Sequence, residues 1–116
     1  MNTLRLRLEA RASALRCHRA YEITVGQDLF GIWVAEMTYG RIGAVGQTKT
    51  RSFTRIEDVA AAVDASLRRR ATLPRRLGVT YRLRRVEFEA AWPKVDLSER
   101  LISFTNADTG GVPDLP

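Results

Sequence analysis

Period-two alternation constrains this chain more than any other feature. Leu4-Arg5-Leu6-Arg7-Leu8 sets three leucines on one face of a strand and arginines on the other. Tyr21, Ile23 and Val25 alternate with Glu22 and Thr24 and stop at Gly26-Gln27-Asp28, a turn cluster. Ile32 to Tyr39 places Trp33, Ala35, Met37 and Tyr39 on one face, and its β-branched and aromatic content marks it as the longest and most central strand. Glycines at 40, 43 and 46 follow at a spacing that suits a tight hairpin connection. Gln47 to Phe53 is the return strand, with Gln47, Lys49, Arg51 and Phe53 on one side and so little apolar content that it must be exposed.

One segment breaks the pattern. Ile56, Val59, Ala60, Val63 and Leu67 recur every three or four residues, the period of an amphipathic helix. Thr54-Arg55-Ile56-Glu57 reads as a capping box before it, and Pro74 stops it. Glu57 and Asp58 at its start and Arg68-Arg69-Arg70 at its end follow the order the helix dipole favours. After Gly78, Val79, Tyr81 and Leu83 share one phase and Val86, Phe88 and Ala90 another, so a bulge at Arg84-Arg85 is expected in a last strand. Asp96-Leu97-Ser98-Glu99 caps one more helical turn, and Ser103 to Pro116 reads as a mobile tail. The fold class that follows is α+β: a twisted antiparallel β-sheet with one main α-helix packed across it.

A chain of 116 residues has room for one domain, and 45% apolar with 28% charged residues is globular composition. The opening residues alternate charge with Leu where a signal peptide holds an apolar block, and no apolar run reaches the roughly 20 residues of a membrane span. A cytoplasmic protein without a membrane partner is expected. Cys17 is the sole cysteine, which excludes an internal disulfide, and neither it nor His18 has companions at metal-ligand spacing. As strand neighbours, Cys17 and His18 point to opposite faces and cannot pair as nucleophile and base. No catalytic constellation, metal site or cofactor motif emerges, so an enzyme is not expected.

Charge supplies the positive clue. The net charge is +6, and it is segregated. Residues 1 to 85 carry 17 Lys or Arg against 7 Asp or Glu; residues 86 to 116 carry 2 against 6, so a body of +10 precedes an end of −4. Arg68, Arg69, Arg70, Arg75 and Arg76 form the densest cluster, which reads either as a solvated helix end or as a phosphate-binding corner. Lys49 and Arg51 either extend a phosphate track or block edge pairing. Tyr39 beside Gly40-Arg41 either stacks on a sugar or base or closes the core beneath the hairpin.

Taken together, Tyr21, Asp28-Leu29-Phe30-Gly31, Trp33, Tyr39-Gly40-Arg41-Ile42-Gly43, Gly46-Gln47, Phe53, Ala60 and Arg75-Arg76-Leu77-Gly78 resemble the WGR domain. That domain is found in poly(ADP-ribose) polymerases and as small stand-alone bacterial proteins. The resemblance implies an antiparallel sheet crossed by a helix, and no catalytic polymerase segment. It also implies a role in sensing DNA breaks, with the signature aromatic on the terminal nucleotide and the Arg linking to neighbouring domains. By position those residues are Tyr39, standing where the name-giving Trp belongs, and Arg41. The domain is expected over residues 1–92, with an acidic, largely flexible tail over 93–116. The function expected is a non-enzymatic nucleic-acid-binding module, for DNA more than RNA and specific for structure rather than sequence. Its site residues are Tyr39, Gly40, Arg41, Lys49, Arg51, Arg68, Arg69, Arg75 and Arg76. The alternative is a protein-interaction adaptor docking through the same sheet face.

Overall fold

A computed structural model describes residues 2–12, 17–71 and 80–89, together with 92, 97, 99–102, 104 and 105. Five strands, β1 (Asn2–Ala12), β2 (Cys17–Gln27), β3 (Trp33–Arg41), β4 (Gln47–Phe53) and β5 (Arg82–Phe88), form one sheet in the order β4-β3-β2-β1-β5. Every neighbouring pair is antiparallel. One main helix, α1 (Ile56–Ala71), leaves the β4 edge and packs against the sheet, and the chain returns as β5 on the opposite edge.

Alternation selects the covered face. Leu4, Leu6, Leu8 and Ala10 of β1, Tyr21, Ile23 and Val25 of β2, and Trp33, Ala35 and Met37 of β3 are all buried. Val59, Val63 and Leu67 of α1 are buried with them. Each large aliphatic side chain placed there contributes about 1.5–3 kcal/mol of burial, which fixes the register because a one-residue slip would turn the whole row to water. Ser66 is buried in the same helical stripe, donating to Met37 Sδ at 3.5 Å and accepting from the Arg69 guanidinium at 3.2 Å.

The structure moves the centre of the sheet. β2, not β3, is the middle strand, and β1 and β2 have 11 residues each against 9 in β3. Their extensions pair Glu9 with Ala20, Ala10 with Arg19, Arg11 with His18 and Ala12 with Cys17. On β1 the small Ala10 and Ala12 continue the alternation faintly, Ala10 fully buried, while on β2 Arg19 interrupts the apolar parity, so there backbone pairing prolongs the strand where the pattern falls silent. The bulge, in contrast, lies where the phase slips: Arg7 pairs with Arg85 and Leu8 with Leu83, leaving Arg84 as the extra residue.

The helix also begins differently from the capping-box expectation. The carbonyl of Arg55, not of Thr54, accepts from the Asp58 and Val59 amides at 3.2 and 3.3 Å. The Glu57 carboxylate accepts from Arg55 Nε at 3.1 Å instead of reaching back to Thr54. Backbone hydrogen bonding at Glu57 itself, and then that Arg55 bond, hold its pKa below the usual carboxylate value.

The core runs further along the chain than the charge split suggested. Trp92, Leu97, Leu101 and Phe104 are buried in the same cluster, and Leu97, 99–102, Phe104 and Thr105 are helical. Leu97, Leu101 and Phe104 stand at i, i+4 and i+7, one helical face. Arg100 clamps this segment to α1, with Nε 2.7 Å and Nη2 3.4 Å from the two carboxylate oxygens of Asp64. Asp96, Ser98 and residues 106–116 lie outside the described residues, as do Arg75, Arg76 and the rest of 72–79.

Candidate functional site

The Tyr39-Gly40-Arg41 segment runs past the end of β4. Tyr39 pairs with both Tyr21 and Gln47, whereas Gly40 and Arg41 pair only with Ala20 and Arg19 of β2. The chain then turns back through 42–46, pinned by Ile42 N–H donating to the His18 carbonyl (2.9 Å) and Ala44 N–H to the Arg41 carbonyl (3.1 Å). Glycine is required twice in this turn. A Cβ on Gly40 would lie 2.8 Å from the Gly46 Cα; Gly46, at φ 76°, would bring its own Cβ within 2.8 Å of the Tyr39 carbonyl. The two backbones thus cross in contact, which aims Arg41 beyond the sheet edge.

Tyr39 is half-buried, packed against the edge of the core, and its hydroxyl donates to Gln47 Oε1 at 3.0 Å. It is neither sealed inside nor a free ring: Lys49 Nζ stands over it, 5.9 Å from the centroid. Arg51 lies over Phe53 at 5.0 Å in the same way. Arg70, at the end of α1, lies flat on Tyr21 at 3.8 Å and covers a ring that is 1% exposed. Because Tyr21 and Tyr39 are direct register partners, the helix end and the aromatic-Gly-Arg segment meet at one end of the α1 face.

The expected cations separate into two groups. Among the described residues Arg41, Lys49 and Arg51 take part in no ion pair, and neither does Arg70. Arg68, by contrast, is paired with Asp64 at 3.4 Å, and Arg69 is bonded to Ser66. Two residues outside the expected set join the first group. Arg70 was passed over for its neighbours in the arginine run. Arg19, exposed and directly opposite Arg41 in the register, was hidden because the pattern starts β2 only at Tyr21. The parity 19, 21, 23, 25 was the available signal.

The uncovered face is different. Glu9, 9% exposed, accepts from Arg7 Nε at 2.9 Å and Arg11 Nε at 3.0 Å, with Arg84 Nε at 3.5 Å; Arg7 also pairs with Glu22 at 3.1 Å. Burial pushes the Glu9 pKa up, but the hydrogen bonds from Arg7 and Arg11 outweigh it and leave the pKa below the usual carboxylate value. The folded state therefore gains stability from this group above the unfolded Glu pKa, and that gain is lost as pH falls below about 4. Thermal unfolding of wild type and Glu9→Gln should show a gap in midpoint at neutral pH that closes at acid pH; a gap that widens there would contradict the network.

Among the described residues no group of three or more His, Cys, Asp or Glu could hold a metal ion, and no helix is long and apolar enough to cross a membrane. No curated protein matches the chain. The family model of the WGR domain matches residues 4–72, more than half of the sequence, spanning β1 through α1. The WGR domain is in general a nucleic-acid-binding type of module, a binding rather than a catalytic domain. Four antiparallel strands, the crossing-over helix and the aromatic-Gly-Arg turn all fall within that match, and the chain belongs to the WGR domain family.

Proposed function

We propose that this chain is a non-enzymatic nucleic-acid-binding module that takes DNA in preference to RNA and reads structure rather than sequence. One observation carries the reading: Lys49 stands over Tyr39, Arg70 over Tyr21 and Arg19 opposite Arg41 two residues along, and among the described residues none of these four cations is paired with a carboxylate. On the other face, in contrast, Arg7, Arg11 and Arg84 converge on Glu9, and Arg7 also on Glu22. Cations left without acids, two of them directly opposed across a strand pair, suit an anion of several charges. Phosphates would be met by Arg41, Lys49 and Arg51, with Gly40 letting the backbone approach; Arg68 and Arg69, and Arg75 and Arg76 further along the sequence, are the remaining candidates. Among the described residues no helix is set to read bases, so recognition rests on backbone and shape.

A second reading, a protein-interaction adaptor, has its own observation. Leu29 is 99% and Phe30 88% exposed on a turn tied by Asp28, whose Oδ1 accepts from the Phe30 and Ile32 amides at 2.8 and 3.0 Å. A titration of the full chain against blunt, nicked, single-stranded and RNA ligands at one ionic strength separates the two. Affinity that differs among the ligands and falls in Arg41→Ala supports the first reading; affinity indifferent to Arg41 leaves the second.

A further inference from the structure

The free edge of the sheet carries a second regularity. On β4 the residues facing the α1 side are Gln47, Lys49, Arg51 and Phe53, opposite Tyr39, Met37, Ala35 and Trp33. α1 does not cover this row, and Gln47 through Ser52 are exposed. Tyr39 occupies Gln47 Oε1, which leaves the Gln47 amide N–H groups as donors. Past that rung the row continues on β3 with Arg41, two residues beyond Tyr39. Gln47, Lys49 and Arg51 thus follow one another along β4 at two-residue steps of about 6.8 Å, and the fourth donor, Arg41, lies one step further on but one strand over, about 4.8 Å to the side.

The rings beneath the row hold it in place. Lys49 sits over Tyr39 and Arg51 over Phe53, so two flexible side chains are seated at fixed positions along the strand. Blocking of edge pairing accounts for a charge or two on β4, but not for a row that continues onto the neighbouring strand with a bonded Gln47 between its cations.

We propose that this row is a track for the backbone of a single-stranded nucleic acid, whose successive phosphates run along β4 from Arg51 to Gln47 and on to Arg41 at the end of β3. The inference rests on the nucleic-acid reading above and names its ligand. The three β4 donors span about 14 Å in line and Arg41 continues the row to one side, a bent course that suits a flexible single strand; the backbone of a duplex keeps its own fixed winding. Base identity is not read, because every donor in the row faces phosphate.

The test uses the full chain with a labelled oligothymidylate and a duplex of equal phosphate number, titrated over a series of salt concentrations. The single strand is expected to bind more tightly than the duplex. Lys49→Ala with Arg51→Ala should weaken single-strand binding at least tenfold and reduce the log–log salt slope by about 1.4, which is 0.7 for each lost contact. Arg85→Ala, on the opposite face, should leave the slope unchanged. Both altered β4 side chains are exposed, and a circular-dichroism melt matching wild type verifies the fold. If the duplex binds more tightly and the double variant keeps the wild-type slope while Arg41→Ala still weakens binding, the track is wrong and the nucleic-acid reading stands. If no nucleic acid binds at low ionic strength, both fall.

Discussion

Phe104→Ala is expected to destabilise the domain by about 3–5 kcal/mol, the range for deleting a fully buried aromatic side chain. Phe104 is 1% exposed and shares its cluster with Trp92, Leu97 and Leu101. Arg100 adds a bidentate pair to Asp64 at 33% side-chain exposure on both partners, which counts for less than the apolar contacts because water screens it. In a chain of this size, a loss of that order lowers the thermal midpoint by roughly 12 °C or more. Urea titration of wild type, Phe104→Ala and Arg100→Ala measures the difference. A change under about 1 kcal/mol in Phe104→Ala would show that the carboxy-terminal helical residues ride on the domain without supporting it.

The second large effect separates binding from stability. Arg19 and Arg41 are directly opposed in the β2–β3 register, an arrangement of like charges that weakens a strand pair by about 0.2–1 kcal/mol. Replacing both with Ala is therefore expected to leave the thermal midpoint unchanged or raise it. Nucleic-acid affinity should move the other way. Two charged hydrogen-bonding contacts at about 1.5 kcal/mol each amount to about 3 kcal/mol, roughly a hundredfold in Kd. On the proposed function, the opposed pair is kept at its small cost to the strand pair because it serves an external anion. Paired measurement of melting and binding on Arg19→Ala/Arg41→Ala checks both halves, and a double variant that melts lower with unchanged affinity would assign the pair a structural role.

The parts legible in the sequence are those written by burial. Leu4, Leu6 and Leu8, Tyr21, Ile23 and Val25, and the Val59-Val63-Leu67 stripe all point where their periods say, because a wrong phase would expose them. The bulge at Arg84 was legible for the same reason: Leu83 and Val86 must both face inward, and two residues lie between them. The start of β2 was not, because Arg19 breaks its apolar parity and is held there by backbone pairing; on β1 the small Ala10 and Ala12 carry the alternation only weakly. This hid Arg19, and with it the repelling pair. At the carboxy-terminal end net charge drew attention away from the Leu97-Leu101-Phe104 spacing, which marks an apolar helical face in the core cluster. Of the site, Tyr39-Gly40-Arg41, Lys49 and Arg51 stood out as motif and alternation, and the structure sets Lys49 on Tyr39 and Arg51 on Phe53. That Arg68 is committed to Asp64 while Arg70 is not could not be read from a run of three identical residues.

The central claim, that the cations around Tyr39 form a surface for a polyphosphate backbone, is tested most directly by the salt dependence of binding. Wild type and Arg41→Ala/Lys49→Ala are titrated with the same labelled oligonucleotide at graded ionic strength. The expected result is a steep linear fall of log K with log salt in wild type, shallower in the variant by about 0.7 per lost contact on a single strand, or about 0.9 on a duplex. Equal slopes for the two proteins, or no binding by wild type at the lowest salt, would contradict it.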